Sequence, residues 1–216
     1  MIIQWIGQSC FKIQTKNNGN EVTIVTDPYD DKTGLKMPKI QADIVTVSHN
    51  HHDHNNLDAI KGDPFVINTP GEYETKEVLI YGIPSYHDDK KGSERGNNTI
   101  YKLVSEEIHL AHLGDLGQTL TDEQLEKIGT VDVLMIPVGG KYTIDYKKAI
   151  EVISQLEPRI VIPMHYKIDG LTSDVATVDE FIKNCGLPLE KMDKLKILKK
   201  DLPPDTTKLV ILSPNA

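Results

Sequence analysis

The segment of this chain with the clearest chemical content is a run of four histidines and one aspartate near position 50. It reads His49-Asn50-His51-His52-Asp53-His54. Imidazole nitrogens and carboxylate oxygens are the donors that bind a Zn²⁺-type metal at about 2 Å. In extended chain, residues two apart point the same way, so His49 and His51 can meet on one ion. Asp53 and His54 then lie within reach of a second ion, and the run predicts a metal site.

A cluster of surface histidines is the alternative interpretation of this run. Tracts of that kind occur at chain termini or in low-complexity sequence. Here the run is internal, between a predicted strand over residues 43–48 and a predicted short helix over residues 55–60. This position favours a metal site that is built at the end of a strand.

A site for two ions needs donors from other parts of the chain. Each ion takes about three protein ligands and keeps one position open for water or substrate. Three candidates follow apolar strands further along the chain, namely His87, Asp115 and His165. Taken singly, a histidine after a strand is more often a loop or core residue, and a Gly-Asp pair is more often a turn. Their order after the histidine run indicates that they act together.

The order of these residues resembles that of the metallo-β-lactamase superfamily over nearly the whole chain. The family pattern is His-x-His-x-Asp-His, then a histidine, then an aspartate in a Gly-Asp pair, then a histidine after an apolar strand. Its members hold two ions with three ligands each and one bridging carboxylate. The matching residues here are His49, His51 and His87 for the first ion, Asp53, His54 and His165 for the second, and Asp115 for the bridge. Asp27 matches an aspartate that supports the ligands from behind.

Further segments narrow the resemblance to the compact hydrolases related to ascorbate-6-phosphate lactonase. These segments lie at residues 113–117, 136–143 and 162–166. Members of that branch often begin with a Gly-His pair, where this chain has Gly7-Gln8. The spacing between Asp115 and His165 leaves no room for the β-CASP insertion of the family's nucleases. The flavodoxin-like module of its di-iron oxidoreductases is also absent from the sequence.

The resemblance implies an α/β fold, a four-layered αββα sandwich of two mixed sheets flanked by helices, in a single domain over residues 1–216. The residue pattern agrees, with a β-rich first half and alternating helices and strands in the second. Predicted strands cover residues 2–6, 9–15, 21–26, 65–68, 78–83, 99–104, 108–113, 131–137, 160–163 and 209–212, with turns at 16–20 and 105–107. Predicted helices cover residues 121–129, 145–156 and 177–185.

Composition restricts the partners. With 38% hydrophobic and 26% charged residues, the chain is typical of a globular protein, and its net charge of −8 disfavours nucleic acid as a partner. Its apolar runs have strand length, which predicts no membrane span, and its first residues favour a strand over a signal peptide. Cys10 and Cys185 form no disulfide framework, so we expect a cytoplasmic location. The oligomeric state stays open.

The predicted function is that of a binuclear metal-dependent hydrolase acting on a small molecule. A water shared between two ions becomes a hydroxide at neutral pH, and the second ion stabilises the developing oxyanion. The expected target is an ester, lactone, amide or phosphodiester bond. Asp53 and Asp115 are the candidate catalytic carboxylates, since they could take part in proton transfer besides binding metal. The cofactor would be two divalent ions, with Zn²⁺ expected first and Mn²⁺ or Fe²⁺ compatible with the mixed donors.

Two other functions stay open at this stage. One is a non-catalytic metal-binding or sensor domain on the same scaffold, which the complete ligand set disfavours. The other is a nuclease, which the acidic charge and the missing insertion disfavour.

Several polar residues near the predicted ligands have no settled role. We expect His52 on the surface, pointing away from the ions, and His109 on an exposed strand face. His112 either supports the ligands or is a packing residue. The polar segment 88–98 either binds substrate, through Arg95, Asn97 or Asn98, or is an ordinary solvated loop.

Overall fold

The computed structural model describes residues 1–17 and 19–215. The strands are β1 (Ile2–Gly7), β2 (Cys10–Asn17), β3 (Asn20–Thr26), β4 (Ile40–Gln41), β5 (Ile44–Thr46), β6 (Ile60–Lys61), β7 (Phe65–Ile67), β8 (Gly71–Thr75), β9 (Val78–Tyr86), β10 (Asn97–Ser105), β11 (Ile108–His112), β12 (Val133–Pro137), β13 (Ile160–Met164), β14 (Leu189–Met192), β15 (Leu195–Lys196) and β16 (Lys208–Leu212). The helices are α1 (Asp122–Ile128), α2 (Tyr146–Leu156) and α3 (Asp179–Cys185), with 3₁₀ turns at Asp31–Thr33, Leu57–Ala59 and Lys199–Asp201. The predicted turn over residues 16–20 includes Asn18, which lies outside the described residues.

The first sheet has the strand order β15-β1-β2-β3-β5-β7. Its first three pairings are antiparallel, and β3, β5 and β7 run parallel. Successive side chains in a strand point to opposite faces. Ile24 and Ile44 therefore face the core between the two sheets, whereas Val25 and Val45 pack in a second apolar cluster on the other face.

The second sheet has the strand order β14-β16-β13-β12-β11-β10-β9-β8. Strands β8 to β11 form an antiparallel meander, and β11, β12, β13, β16 and β14 run parallel. Every residue of β12 and β13 is buried, which explains their continuous apolar sequences.

Helices α1 and α2 begin at capping residues that the sequence contains. Thr121 and Gln124 form a reciprocal capping box at the start of α1, and the Asp145 side chain accepts from the backbone of Lys147 and Lys148 at the start of α2. The buried side chains of α2, from Ala149 to Leu156, join the core of the second sheet.

The outer face of the first sheet is covered by loops and 3₁₀ turns. Tyr29, Leu35, Met37, Leu171 and Val175 pack there in the second apolar cluster. The α-helices of the described chain all follow β11 and lie with the second sheet. The two mixed sheets thus form the two central layers, with α-helices on one side and loops on the other.

The short helix predicted over residues 55–60 is wrong, because the structure has only the 3₁₀ turn Leu57–Ala59. The segment is too short to repay the cost of starting an α-helix. Its backbone is also engaged elsewhere: Asn56 donates from its backbone N to Pro28 O and from its side chain to Tyr29 O.

The topology places the ends of several strands together. In the second sheet, β9, β11 and β13 run in the same direction, because β10 is antiparallel to both of its neighbours and β11 to β13 are parallel. His87 follows β9, Asp115 lies shortly after β11, and His165 follows β13. The histidine run follows β5, and Asp27 follows the parallel strand β3 in the other sheet. No helix among the described residues has the length and apolarity needed to cross a membrane.

Candidate metal centre

The seven predicted donors lie together in three overlapping groups. Within each group the candidate ligand atoms lie within 4.8 Å of one another. The groups are His49, His51 and His87; His49, His54 and Asp115; and Asp53, His54 and His165. The first and the third are the two triads that the sequence predicts, and Asp115 lies between them.

Three imidazoles converge on the Asp115 carboxylate. Its Oδ2 lies 3.2 Å from Nε2 of His87, and 3.3 Å from Nε2 of both His54 and His165. His87 belongs to the first triad, and His54 and His165 belong to the third. One carboxylate oxygen therefore faces histidines of both triads, which is the geometry that a bridging ligand requires.

A buried asparagine holds the turn that presents Asp115. The Asn98 side chain donates to Leu113 O at 3.0 Å and accepts from the backbone N of Asp115 at 2.9 Å. Gly114 has a φ of +55°, and a Cβ there would lie 2.4 Å from Asn98 Oδ1, so the tight turn requires glycine. Asn98 is therefore a support for Asp115, and its amide is not available to a substrate.

Four buried ring nitrogens of the donor histidines make no hydrogen bond in the described part of the chain. They are Nε2 of His49 and of His54, and Nδ1 of His87 and of His165. A buried polar atom without a partner costs free energy, and native structures contain few of them. A divalent ion would satisfy the two Nε2 atoms, and imidazole with carboxylate is a donor set that such ions accept. The residues present therefore fit a metal centre.

Asp27 orients one histidine of each triad. It is fully buried, and its Oδ2 lies 2.9 Å from His54 Nδ1 and 2.6 Å from Ser48 Oγ. A carboxylate only accepts, so both of these groups donate to it. Because Ser48 donates its hydroxyl proton to Asp27, its Oγ can only accept from His49 Nδ1, which lies 2.9 Å away. Both rings are left with an Nε2 lone pair directed at the centre.

The charges around His54 create a site for positive charge. Burial by itself lowers the pKa of His54, but the carboxylates of Asp115, Asp53 and Asp27 raise it well above its ordinary value. Burial likewise raises the pKa of Asp115, but the imidazoles of His165 and His54 hold it well below its usual range. Three carboxylates around one imidazole thus favour a cation here, and metal ions supply one.

His49 stays neutral in this environment. Burial, and then the neighbouring His54, lower the pKa of His49 to about 3, although Asp115 and Asp27 oppose the shift. A neutral imidazole is the form that binds metal, because the ligand nitrogen must be free of its proton.

Gln8 is a site residue for which the sequence supplied no role. Its side-chain Nε2 donates to Asp53 Oδ2 at 3.0 Å. Its backbone O accepts from the backbone N of His165 at 3.1 Å and from Trp5 Nε1 at 3.0 Å. Gln8 has a φ of +51°, a strained value for a residue other than glycine, and it is buried. It thus positions one carboxylate and one histidine of the third triad, and the only signal in the sequence was the departure from Gly-His at this point.

Replacing Gln8 with alanine is expected to weaken metal binding at the third triad by about tenfold to a hundredfold, the usual effect of losing a group that orients a ligand. The Asp53 carboxylate would lose the one side-chain amide donor that it has among residues 1–17 and 19–215. Titration of the metal-free protein with Zn²⁺ against a competing chelator measures this affinity. Gln4→Ala, on β1, is the matched control and should have the Zn²⁺ affinity of the wild type. Equal affinities in Gln8→Ala and the wild type would refute the assigned role.

The remaining histidines belong to none of the three donor groups, although His52 lines the cavity over the centre. His52 is exposed, and its Nδ1 lies 3.0 Å from Asp30 Oδ1, as expected for a surface residue. His112 is fully buried, and its Nε2 donates to Ser9 O at 2.8 Å while its Nδ1 accepts from the backbone N of Gly114 at 3.3 Å. It therefore supports the turn before Asp115, and in the described part of the chain it forms no hydrogen bond with a candidate ligand. His109 is partly exposed on β11.

Residues 2–165 match the model of the beta-lactamase superfamily domain, and the chain belongs to this family. The predicted superfamily is therefore confirmed. The narrower resemblance to the ascorbate-6-phosphate lactonase branch stays a prediction.

Curated relatives and a solved structure agree with this assignment. A UPF0173 protein of Pyrococcus abyssi is 30% identical over 79% of this chain and 85% of its own length. A UPF0173 metal-dependent hydrolase of Thermoplasma volcanium is 30% identical over 82% of this chain and 86% of its own. The crystal structure of a candidate Zn-dependent hydrolase of the metallo-beta-lactamase superfamily from Thermotoga maritima has a TM-score of 0.79 and 38% identity, and covers 98% of this chain and 97% of its own. The predicted fold class is confirmed by this similarity.

Proposed function

We propose that this chain uses two divalent metal ions to hydrolyse an ester, lactone or phosphodiester bond of a small molecule. The observation that carries the proposal is the convergence of His54, His87 and His165 on one oxygen of Asp115, within 3.3 Å. A carboxylate that faces both triads suits two ions that share a ligand.

The chain is a metal-dependent hydrolase, which is the class of the Thermoplasma volcanium relative. The number of ions, their identity and the bond that is cleaved are parts of the proposal. The donor set of imidazoles and carboxylates supports Zn²⁺, with Mn²⁺ and Fe²⁺ as alternatives.

Asp27, Asp53 and Gln8 would have different roles in catalysis. A bound pair of divalent ions lowers the pKa of water towards neutrality and polarises a substrate oxygen. Asp27 keeps His49 and His54 in the tautomer that such ions need. Asp53 is the better candidate for moving a proton, because 20% of its side chain is exposed against 3% for Asp115. Gln8 holds Asp53 Oδ2, so Asp53 Oδ1 is the oxygen that can accept a proton and return it to the leaving group.

Removing the metal tests the proposal directly. The protein is stripped with a chelator and reloaded with Zn²⁺, Mn²⁺ or Fe²⁺, and each form is assayed on a 4-nitrophenyl ester, a lactone and bis(4-nitrophenyl) phosphate. We expect turnover to disappear on stripping and to return in full at two equivalents of one metal. Turnover that survives the chelator would contradict the proposal. Two bound ions without turnover on any substrate would favour the sensor alternative.

A further inference from the structure

A second, larger cavity adjoins the metal centre, and Arg95 stands at the boundary between them. The cavity over the centre has a volume of about 360 Å³, and its neighbour has a volume of about 680 Å³. Among the described residues, His51 and Arg95 are the two that line both. Since His51 is a candidate metal ligand, a molecule that extends from the centre into the neighbouring cavity must pass Arg95.

Arg95 supplies positive charge at the boundary between the two cavities. In the described parts of both linings it is the only lysine or arginine. Its Cζ lies 5.8 Å from the centre of the Tyr142 ring, a cation–π contact, and its guanidinium N–H groups have no hydrogen-bond partner among the described residues. No carboxylate of residues 1–17 or 19–215 forms an ion pair with it. A half-buried guanidinium without a carboxylate partner is suited to bind a carboxylate or phosphate in two parallel hydrogen bonds.

The loop that carries Arg95 is held by one buried side chain. Asp88 Oδ1 accepts from the backbone N of Lys90 and of Gly92, both at 2.8 Å. Its Oδ2 accepts from the backbone N of Glu94 at 3.0 Å and of Arg95 at 2.8 Å. Four hydrogen bonds to one carboxylate fix the backbone of the loop, so Arg95 is positioned before a ligand arrives.

Besides Arg95, the described lining of the neighbouring cavity mixes polar with apolar residues and contains no carboxylate, lysine or second arginine. Its wall includes the side chains of Asn50, Asn68, Thr69 and Asn97. These groups both donate and accept hydrogen bonds, so they suit a ligand body that carries hydroxyl or carbonyl groups.

We propose that the neighbouring cavity binds the non-reacting part of an anionic substrate, a small polar molecule whose carboxylate or phosphate group pairs with Arg95. This inference rests on the proposed function, because it places the scissile bond over the metal centre. Arg95 acts as a specificity-determining residue, and it takes no part in the chemical step.

The test uses the Zn²⁺-loaded protein and three 4-nitrophenyl alkyl ethers that resist hydrolysis and differ only in the terminal group: a carboxylate, a phosphate or a neutral amide. Binding is measured by isothermal titration calorimetry for the wild type, Arg95→Gln and Lys91→Gln. Lys91 is exposed on the same loop and lines neither cavity, so its variant removes an equal charge elsewhere. Hydrolysis of a neutral 4-nitrophenyl ester is measured in parallel.

We expect the wild type to bind at least one anionic ether about tenfold more tightly than the amide, or better. Arg95→Gln should lose that preference and should bind the amide ether with wild-type affinity. Lys91→Gln should keep the preference for the anionic ether. The preferred ether distinguishes a carboxylate from a phosphate. The inference would be overturned if the wild type showed no preference, or if Arg95→Gln kept the preference. It would also be overturned if Arg95→Gln lost affinity for the amide ether as much as for the anionic ethers.

The parallel assay separates this inference from the proposed function. Lys91→Gln, which changes a residue outside both cavities, should hydrolyse the neutral ester at the wild-type rate. If the metal-loaded wild type prefers the anionic ether but hydrolyses no substrate, the failure lies with the proposed function and the anion site at Arg95 stands.

Discussion

Asp115→Asn is expected to lower turnover by about a thousandfold or more and to leave at most one ion bound per chain. The amide that replaces the carboxylate has no charge and has one weak donor oxygen, so it cannot hold two ions together. The several kcal/mol of charge stabilisation that a metal pair supplies would be lost with the second ion. Oδ2 of Asp115 is the atom on which histidines of both triads converge, so no neighbouring side chain can replace it.

Elemental analysis and kinetics together check this expectation. The variant and the wild type are purified without chelator, their metal content is measured, and kcat is determined on the substrate that the wild type cleaves best. Asp63→Asn, at an exposed position, is the matched control and should resemble the wild type in both measurements. Two ions per chain together with unchanged turnover in Asp115→Asn would rule out the bridging role.

Asp27→Asn is expected to have the second largest effect, because one carboxylate serves three donors. Its two oxygens accept from the backbone N and hydroxyl of Ser48 and from Nδ1 of His54, all in a fully buried position. An asparagine must turn an N–H₂ group towards one of these donors. When that group faces His54, the ring is driven to the tautomer that carries its proton on Nε2, which blocks the nitrogen that a metal would need.

We expect Asp27→Asn to lose both stability and metal affinity. The free energy of unfolding of the metal-free protein should fall by about 3 kcal/mol, as for other broken buried pairs, and urea denaturation measures it. The Zn²⁺ affinity should fall by about a hundredfold in a chelator competition assay.

Asp30→Asn is a close control, because Asp30 Oδ1 lies 3.0 Å from Nδ1 of His52 in an exposed pair. Exposed ion pairs contribute at most about 1 kcal/mol, so this variant should keep nearly all of its stability and its full metal affinity. Equal losses in the two variants would show that Asp27 has no special role.

The strands were largely predictable, because their signal is local. Alternating and continuous apolar runs gave the positions of most strands to within three residues. The short strands β4, β6, β8, β14 and β15 were not predicted, because their residues are mostly exposed and form a strand only beside a neighbour. The helix predicted after the histidine run was wrong because contacts with a distant segment determine the conformation there. Asn56 donates from its backbone to Pro28 O and from its side chain to Tyr29 O.

The supporting residues of the site could not be predicted from local sequence. Gln8 contacts Asp53 across 45 positions, and Asn98 contacts the backbone of Asp115 across 17. Nothing in the neighbourhood of either residue in the sequence indicates these partners. The segment 88–98 was left open between a binding loop and a solvated loop. The structure adds that Asp88 fixes its backbone, and the binding role of Arg95 stays a proposal.

The sequence by itself determined which side chains can bind metal, because that depends on residue type and on short spacing. The donors in the run at positions 49–54 were identifiable in this way, whereas His87, Asp115 and His165 were identified from their order along the chain and its resemblance to the family pattern. The family resemblance also indicated that Asp115 bridges the ions and that Asp27 supports the ligands. Only the tertiary structure decided that Gln8 contacts Asp53 and His165, and that Arg95 stands between two cavities. These facts depend on which strands pair and in which direction, and such pairing is set by contacts between residues far apart in the chain.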